Sequence, residues 1–428
     1  MVTELRRTER VNKSVEMGVF EETAPLRNVM MWGKPGTEAV LGQLLPRRIS
    51  CFESNFRVLE ARSEFSTAVD ILQGQGVEIL FVKDLLAQKI KEQGIKPTKS
   101  MGQLHEELQE RGEYFYEKYK DEIAEECKKK NEQPLGLQVL DWIGPILRED
   151  KERYGEEVAT VMNQMLSLDE RDGLQGDERL LPLANAIYAR DQSNLLGKTW
   201  IWSNMHYPIR RAEVALYKSV LEYHHIIPDD INVVQIQGKG KFEGGDGIAY
   251  NGVFYIGCGG RTNMRGIMQA APTLLSQPDA RLIIAYDGAR TRHEKGEMDA
   301  MHLDTYWMPF AKDKVVACPE ETSSRRYAEV THDGKGGYQV DLNLSQKFND
   351  YLSDQSLEIF DLSKEEQLHY APNFLNLGNQ KVVLSLIEGN ELKRKLEDVG
   401  YTVYSPNLEQ ITKGYGGLHC MTAAIKRG

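Results

Sequence analysis

The order of hydrophobic and polar residues predicts that the chain begins with alternating strands and helices. The apolar run Leu26 to Met31 predicts a strand, and apolar residues at helical spacing over 56–73 predict a helix. The short apolar run Val77 to Val82 is typical of a buried strand. Residues 1–82 are therefore predicted to form the first part of a larger α/β structure.

The pattern changes over residues 83–178, which are rich in Lys, Glu and Gln. Apolar residues recur there at helical intervals, as in Leu104, Leu108 and Phe115. This segment is predicted to be an all-helical insertion, a small bundle.

The β-α alternation returns over residues 179–428, the predicted remainder of the α/β structure. The predicted elements are strands at 195–202, 231–236, 280–286, 381–386 and 401–404, helices from Pro208 and at 263–275, 343–353 and 390–398, and hairpins at 248–256 and 303–318. Repeated β-β-α-β units without one long parallel series favour sheets arranged around an axis over a doubly wound sheet.

Composition and charge limit the possible partners and the compartment. The chain has 428 residues, of which 41% are hydrophobic and 27% are charged, so a sizeable core is expected. A net charge of −11 repels phosphate backbones, which argues against nucleic acid. No stretch approaches the roughly 18 apolar residues of a membrane helix, and the N-terminus has no apolar signal core. We therefore expect a cytoplasmic protein that binds no membrane.

The five cysteines are scattered and form no CxxC pair, so neither a disulfide framework nor a structural zinc site is predicted. Most of them are expected to be small buried hydrophobic residues. The exception could be Cys420, which ends the segment Lys-Gly-Tyr-Gly-Gly-Leu-His-Cys. Glycines let a backbone bend sharply next to a ligand, which suits a nucleophile loop. A glycine-rich turn leading to a buried cysteine is the alternative.

His302 and Asp304 form a second candidate pair. In a strand, residues two apart project from the same face, so the two side chains would lie together. A histidine beside a carboxylate can serve as acid and base. A surface salt pair is the alternative, and no HxxxH or HExxH spacing supports a metal site.

Two further segments carry carboxylates. Glu243 and Asp246 flank two glycines just before a predicted hairpin, and Asp191 ends the segment that starts at Asn185. The nearby Gly-Lys-Gly-Lys ending at Lys241 lacks the spacing of a phosphate-binding loop.

The candidate residues suit one kind of substrate. A guanidinium is a planar cation with a fork of N–H donors, and carboxylates such as Asp191, Glu243 and Asp304 bind it in its plane. Its carbon is a weak electrophile, so attack needs a potent nucleophile such as the thiolate of Cys420. The departing amine needs a proton, which His302 can supply.

These residues resemble the arginine deiminases of the guanidino-group-modifying superfamily. The resemblance covers roughly 18–82 and 183–425, and it rests on matches in the same order along the chain: Asn185 to Asp191, Met205 to Glu213, Glu243 to Asp246, Ile256 to Asn263, and Met301 to Thr305 with the loop that ends at Cys420. It implies a five-bladed pseudosymmetric α/β propeller (a pentein-like fold) with a helical insertion.

The resemblance also implies a role for each matching residue. Cys420 is the expected nucleophile and His302 the acid and base. Asp191 and Asp304 hold the guanidinium, and Glu243 supports the guanidinium and His302. Arg210 and Arg261 match residues that bind the carboxylate of the amino acid substrate, with Arg211 as a possible replacement for Arg210, and Asn185 matches another substrate contact. The implied activity is hydrolysis of arginine to citrulline and ammonia, with no metal or cofactor. A homodimer is a possible assembly.

The chain departs from the family at Tyr415, where the deiminases have an arginine that helps to recognise the substrate's α-carboxylate. This departure leaves open whether free arginine is the substrate. The alternatives are an amidinotransferase, which passes the amidino group to an amine, a hydrolase of another guanidino compound, and a non-catalytic binding protein on the same scaffold.

Overall fold

The computed structural model describes residues 16–169, 181–288, 300–385 and 391–428. The first 15 residues lie outside this range, so the predicted lack of an apolar signal sequence there concerns residues that the structure does not describe. The strands of the described residues are, in chain order, β1 (Leu26–Met31), β2 (Glu78–Phe81), β3 (Ser193–Leu196), β4 (Thr199–Trp202), β5 (Asn232–Gln235), β6 (Gly247–Tyr250), β7 (Val253–Cys258), β8 (Arg281–Tyr286), β9 (Trp307–Ala311), β10 (Lys314–Ala317), β11 (Arg326–His332), β12 (Tyr338–Lys347), β13 (Glu358–Asp361), β14 (Leu375–Gly378), β15 (Lys381–Val383), β16 (Thr402–Tyr404) and β17 (Ala423–Arg427).

The α-helices of the same residues are α1 (Thr37–Gly42), α2 (Arg47–Ser50), α3 (Val58–Gly74), α4 (Val82–Glu92), α5 (Met101–Lys129), α6 (Ile143–Tyr154), α7 (Glu156–Ser167), α8 (Ala189–Gln192), α9 (Pro208–Tyr223), α10 (Met264–Leu275), α11 (Pro319–Ser324), α12 (Phe348–Asp354), α13 (Lys364–Leu368), α14 (Glu391–Asp398), α15 (Glu409–Thr412) and α16 (Leu418–Met421). Short 3-10 helices cover Gly136–Trp142, Gly244–Asp246 and Leu303–Thr305.

The strands form five sheets, and each contains the same three-stranded unit. In every unit the middle strand pairs antiparallel with one neighbour and parallel with the other. The orders are β17-β1-β2, β3-β4-β5, β6-β7-β8, β9-β10-β13 and β14-β15-β16, and β11 and β12 extend the third sheet beyond β8. Helices such as α9, α10 and α14 connect the parallel strands. The repeated β-β-α-β unit that the sequence predicted is confirmed.

Several predicted elements are confirmed with their local signals. Helix α9 has Pro208 in its first turn, where proline is tolerated. Asn251 and Gly252 have φ of +52° and +74° and join β6 to β7, as a two-residue hairpin turn requires.

Three predicted elements are wrong. Residues 195–202 form a hairpin rather than one strand, because Gly197 has φ of +59° and reverses the chain between β3 and β4. The first part of the helix predicted at 343–353 is the end of β12, where apolar Val340, Leu342 and Leu344 alternate with polar residues. His302 and Asp304 lie at a 3-10 turn rather than in a strand.

Residues 82–167 are mostly helical in α4, α5, α6 and α7, while 170–178 of the predicted insertion lie outside the described range. Among the residues that the structure covers, no helix is both long and apolar enough to cross a membrane. These helices share a hydrophobic core with α3, β1 and β17, and that core also includes Leu418, Cys420 and Met421. The core therefore anchors the short helix that carries the candidate nucleophile.

Candidate active site

Cys420 lies in α16, immediately after the glycine-rich segment, and its side chain is buried. The side-chain oxygen of Asn373 accepts hydrogen bonds from the backbone N–H groups of Gly417 and Cys420, both at 3.1 Å. Sγ of Cys420 lies 3.9 Å from Oδ2 of Asp304. Burial and the negative charges of Asp304 and Asp191 raise the pKa of the Cys420 thiol well above its usual value. The thiol is therefore protonated at neutral pH.

The glycines before Cys420 are needed for close packing against Tyr188. A Cβ atom at Gly416 would lie 2.5 Å from Cδ1 of Tyr188 and 3.1 Å from Cβ of Cys420. The Tyr188 hydroxyl donates a 2.7 Å hydrogen bond to the carbonyl oxygen of Ile411, which holds the ring in place. Close contact between backbone and ring therefore fixes this segment next to the sulfur.

His302 lies between two carboxylates. Its Nε2 is 3.0 Å from Oε2 of Glu243, and its Nδ1 is 3.7 Å from Oδ1 of Asp191. Burial disfavours the charged imidazole, but Asp191 and Glu243 outweigh burial and raise the pKa of His302 to about 9. His302 is therefore a cation at neutral pH and has a proton to give.

Glu243 is buried and stays ionised. Burial alone would raise its pKa, but Arg261, His302 and Arg210 hold the pKa of this carboxyl well below its usual range. Its Oε1 accepts a 2.8 Å hydrogen bond from the backbone N–H of His206. The carboxylate is thus fixed against the imidazole of His302.

The second glycine after Glu243 also has a packing role. A Cβ atom at Gly245 would lie 2.8 Å from Nδ1 of His302 and 3.1 Å from Oδ1 of Asp304. His302 and Asp304 therefore face the same side of the 3-10 turn, although the strand from which this was predicted is absent there.

Asp191 and Asp304 each have one oxygen that accepts a hydrogen bond and one that has no hydrogen-bond partner in the described part of the chain. Oδ2 of Asp191 accepts a 2.8 Å hydrogen bond from Arg210, and Oδ2 of Asp304 accepts one from Nδ1 of His419 at 2.7 Å. Within the described residues, Oδ1 of both carboxylates is buried and has no hydrogen-bond partner. Buried carboxylate oxygens are normally paired, so these two suit a ligand that donates hydrogen bonds.

The three residues expected to bind the rest of the substrate are all buried in the same region. Arg210 lies 3.1 Å from Glu213 as well as 2.8 Å from Asp191, and Arg261 lies 3.4 Å from Glu243. The side chain of Asn185 donates a hydrogen bond to the carbonyl oxygen of Ser50.

Arg211, the suggested replacement for Arg210, is directed elsewhere. Its Nε lies 3.4 Å from the carbonyl oxygen of Met205. Arg210 is therefore the arginine of this pair that reaches the carboxylate cluster. The substrate contacts of Asn185, Arg210 and Arg261 remain predictions.

Sequence reasoning did not identify two buried residues that organise the site, Asn373 and His419. Asn373 belongs to no motif and precedes Cys420 by 47 residues, so nothing in the sequence marked it as a hydrogen-bond acceptor for the nucleophile's segment. His419 lies beside Cys420, and its position next to the nucleophile was the available signal.

Three of these side chains could also hold a metal ion. One ligand atom from each of Asp191, Glu243 and His302 lies within 4.8 Å of the others.

All five cysteines are buried, and none forms a disulfide bond. Burial raises the pKa of Cys51 to about 11.

Two solved structures share the fold of this chain. One is an amidinotransferase of the saxitoxin biosynthetic pathway from Microseira wollei, 14% identical, with a TM-score of 0.52 over 96% of this chain and 97% of that chain. The other is a dimethylarginine dimethylaminohydrolase from Pseudomonas aeruginosa in complex with citrulline, also 14% identical, with a TM-score of 0.51 over 93% and 99%. The fold is thus that of the dimethylarginine dimethylaminohydrolases and amidinotransferases.

Sequence comparison identifies the family of this chain among the proteins with this fold. The family model for arginine deiminase matches residues 51–427, and the chain belongs to the arginine deiminase family. It is 25% identical to the arginine deiminase of Mycolicibacterium gilvum, over 96% of this chain and 98% of that protein. It is 24% identical to the arginine deiminase of Rhodococcus opacus, over 97% and 98%. The family expected from the sequence is confirmed.

Proposed function

We propose that this protein hydrolyses arginine to citrulline and ammonia through a covalent intermediate on Cys420. The observation that supports the proposal is a pair of carboxylate oxygens, Oδ1 of Asp191 and Oδ1 of Asp304, that have no hydrogen-bond partner within the described residues and lie in one buried site with Cys420 and His302. Family membership supports the same activity.

In this proposal, Asp191 and Asp304 bind the substrate guanidinium. Two of its N–H groups donate to the free Oδ1 atoms, while the Oδ2 atoms stay bound to Arg210 and His419. Charge-assisted hydrogen bonds in a buried site are strong and directional. They hold the guanidinium carbon close to Sγ of Cys420.

Substrate binding also activates the nucleophile. Asp304 and Asp191 raise the pKa of the Cys420 thiol, and a bound guanidinium offsets their negative charge. The thiol then loses its proton to solvent when the substrate is bound, whereas it stays protonated in the free enzyme. This arrangement limits unwanted oxidation or alkylation of Cys420.

The thiolate adds to the guanidinium carbon and forms a C–S bond. His302 gives its proton to the departing nitrogen, the C–N bond breaks, and ammonia leaves an amidino-thioether on Cys420. The neutral imidazole then takes a proton from water, whose oxygen adds to the same carbon. The hydroxyl proton of this adduct passes to the sulfur as the C–S bond breaks, so citrulline leaves and Cys420 returns as the thiol.

We propose that Arg210 and Arg261, with Asn185, bind the substrate beyond its guanidinium. In support, Nη2 of Arg210 is buried and has no hydrogen-bond partner within the described residues. The family's additional arginine is replaced by Tyr415, which has φ of +69° and lies with its ring centre 5.7 Å from Nζ of Lys130.

The proposed function is tested by incubating the protein with arginine, with and without glycine, and measuring citrulline, ornithine, urea and ammonia. Equal amounts of citrulline and ammonia are expected. A guanidino product that appears only with glycine would identify an amidinotransferase instead.

A second experiment compares arginine with decarboxylated arginine, which differs from arginine only in lacking the α-carboxylate. An equal kcat/KM for both compounds would contradict the proposed carboxylate contacts.

We also propose that the five sheets close into the five-bladed propeller expected from the sequence. Contacts that support it connect each sheet to the next around a ring: β17 with β3, β3 with β6, and β14 with β1. The Tyr250 hydroxyl of β6 donates to the carbonyl oxygen of Ala311 in β9 at 2.9 Å, and Asn376 of β14 donates to that of Phe310 at 3.0 Å.

We propose that residues 83–178 form a helical insertion between parts 1–82 and 179–428 of the propeller, and that the protein is cytoplasmic. The five cysteines form no disulfide bonds, which supports a reducing compartment. A homodimer remains a prediction that sedimentation or light scattering can test.

A further inference from the structure

His419 connects the active site to a buried ion pair that no step of the proposed mechanism uses. Its Nδ1 donates to Oδ2 of Asp304 at 2.7 Å, and its Nε2 lies 3.5 Å from Oε1 of Glu22. The same Oε1 pairs with the guanidinium of Arg427. Asp304, His419, Glu22 and Arg427 therefore form one continuous chain of polar contacts, and all four are buried.

The far end of this chain is held by backbone groups. Arg427 donates to the carbonyl oxygens of Ala24 and Asn376 at 3.0 and 2.9 Å, and the backbone N–H of Glu22 donates to Ala249 at 2.7 Å. Burial would raise the pKa of Glu22, but Arg427 and His419 lower it to about 2, so Glu22 stays a carboxylate. A fixed, charged group thus faces Nε2 of His419.

The near end of the chain sets which oxygen of Asp304 is free. His419 binds Oδ2, so Oδ1 is left unpaired on the side of Gly245 and His302. An imidazole that turned away would release Oδ2, and the carboxylate could then rotate. The orientation of His419 therefore determines how Asp304 presents its free oxygen.

We propose that Glu22 and Arg427 are positioning residues, which act through His419 to aim Oδ1 of Asp304 at the substrate guanidinium. The inference rests on the proposed function, because it assigns Asp304 to guanidinium binding. Neither residue touches the substrate. Each fixes a neighbour that fixes the carboxylate, as second-sphere groups do around a reacting centre.

The test is a double-mutant cycle between Glu22→Gln and His419→Asn. Glu22→Gln keeps the size of the side chain and removes its charge. We expect kcat for arginine to fall about 10- to 100-fold while KM changes less than about threefold, since a carboxylate misplaced by roughly 1 Å mainly harms the geometry of attack. In the His419→Asn background, Glu22→Gln should lower kcat by less than about twofold more, because its route to Asp304 is already broken.

A matched control is Glu321→Gln. Glu321 also pairs with a buried arginine, Arg325, at 2.7 Å, but in a different part of the fold. The Glu321→Gln control should lower Tm without changing kcat, which separates a positioning effect from a general loss of stability. The inference would be overturned if Glu22→Gln lowered kcat by the same factor in the wild-type and His419→Asn backgrounds. It would also be overturned if Glu22→Gln lowered Tm and left kcat unchanged. Citrulline formation by the wild-type protein tests the proposed function separately.

Discussion

Replacing Gly416 with alanine tests whether the packing of the glycine-rich segment places the nucleophile. The new Cβ would lie 2.5 Å from Cδ1 of Tyr188, whereas ordinary contacts are 3.4–4 Å. The segment must therefore move by roughly 1 Å, or the Tyr188 ring must move by as much. Overpacking of this size costs about 1–3 kcal/mol of stability. A displacement of roughly 1 Å at a reacting group costs about 100-fold in rate.

The assay measures kcat for arginine together with Tm. Gly416→Ala should remain folded at 25 °C with a lower Tm and a kcat reduced by about 100-fold. Gly74→Ala is the control, because a Cβ at the end of α3 would meet nothing within 4 Å and should leave kcat unchanged. A folded Gly416→Ala variant with wild-type kcat would refute the argument that close packing places Cys420.

Three further predictions concern the groups around the nucleophile. Gly245→Ala should lower kcat at least about tenfold without unfolding the protein, because its Cβ would lie 2.8 Å from Nδ1 of His302; an unchanged kcat would contradict this. Asp304→Asn should lower the pKa of the Cys420 thiol, since Asp304 is one of the groups that raise it. The rate of alkylation by iodoacetamide as a function of pH measures this shift, and an unchanged inflection would count against it. The imidazole of His302 should titrate near pH 9 by NMR. Glu243→Gln should lower the pKa of His302, because the Glu243 carboxylate favours the charged ring. A wild-type pKa near 6.5 would be inconsistent with the charges around His302.

The candidate site residues could be predicted together from the sequence because their chemistry suits one kind of substrate. A thiol, an imidazole and several carboxylates suit one planar cation, and the structure brings Cys420, His302, Asp304 and Asp191 into one buried site. Local elements with strong signals were also predictable, such as the helix that starts at Pro208.

Other features depend on contacts between segments that are distant in the chain. Asn373 supports the nucleophile's segment from 47 positions away, and no local pattern marks such a residue. The pairing of Glu22 with Arg427 spans 405 positions. β12 was missed for a different reason, because its alternation of apolar and polar residues was interpreted in part as a helix.

The proposed mechanism requires Cys420 to form a covalent bond with the guanidinium carbon of arginine. Acid quenching during turnover, followed by intact-protein and peptide mass analysis, measures this directly. This mechanism predicts an amidino adduct on Cys420 that is absent from the Cys420→Ser variant. In a His302 variant that still forms the adduct, slower attack by water should make the adduct accumulate. Citrulline production by the wild-type protein with no adduct on Cys420, together with retained activity in Cys420→Ser, would contradict the proposed mechanism.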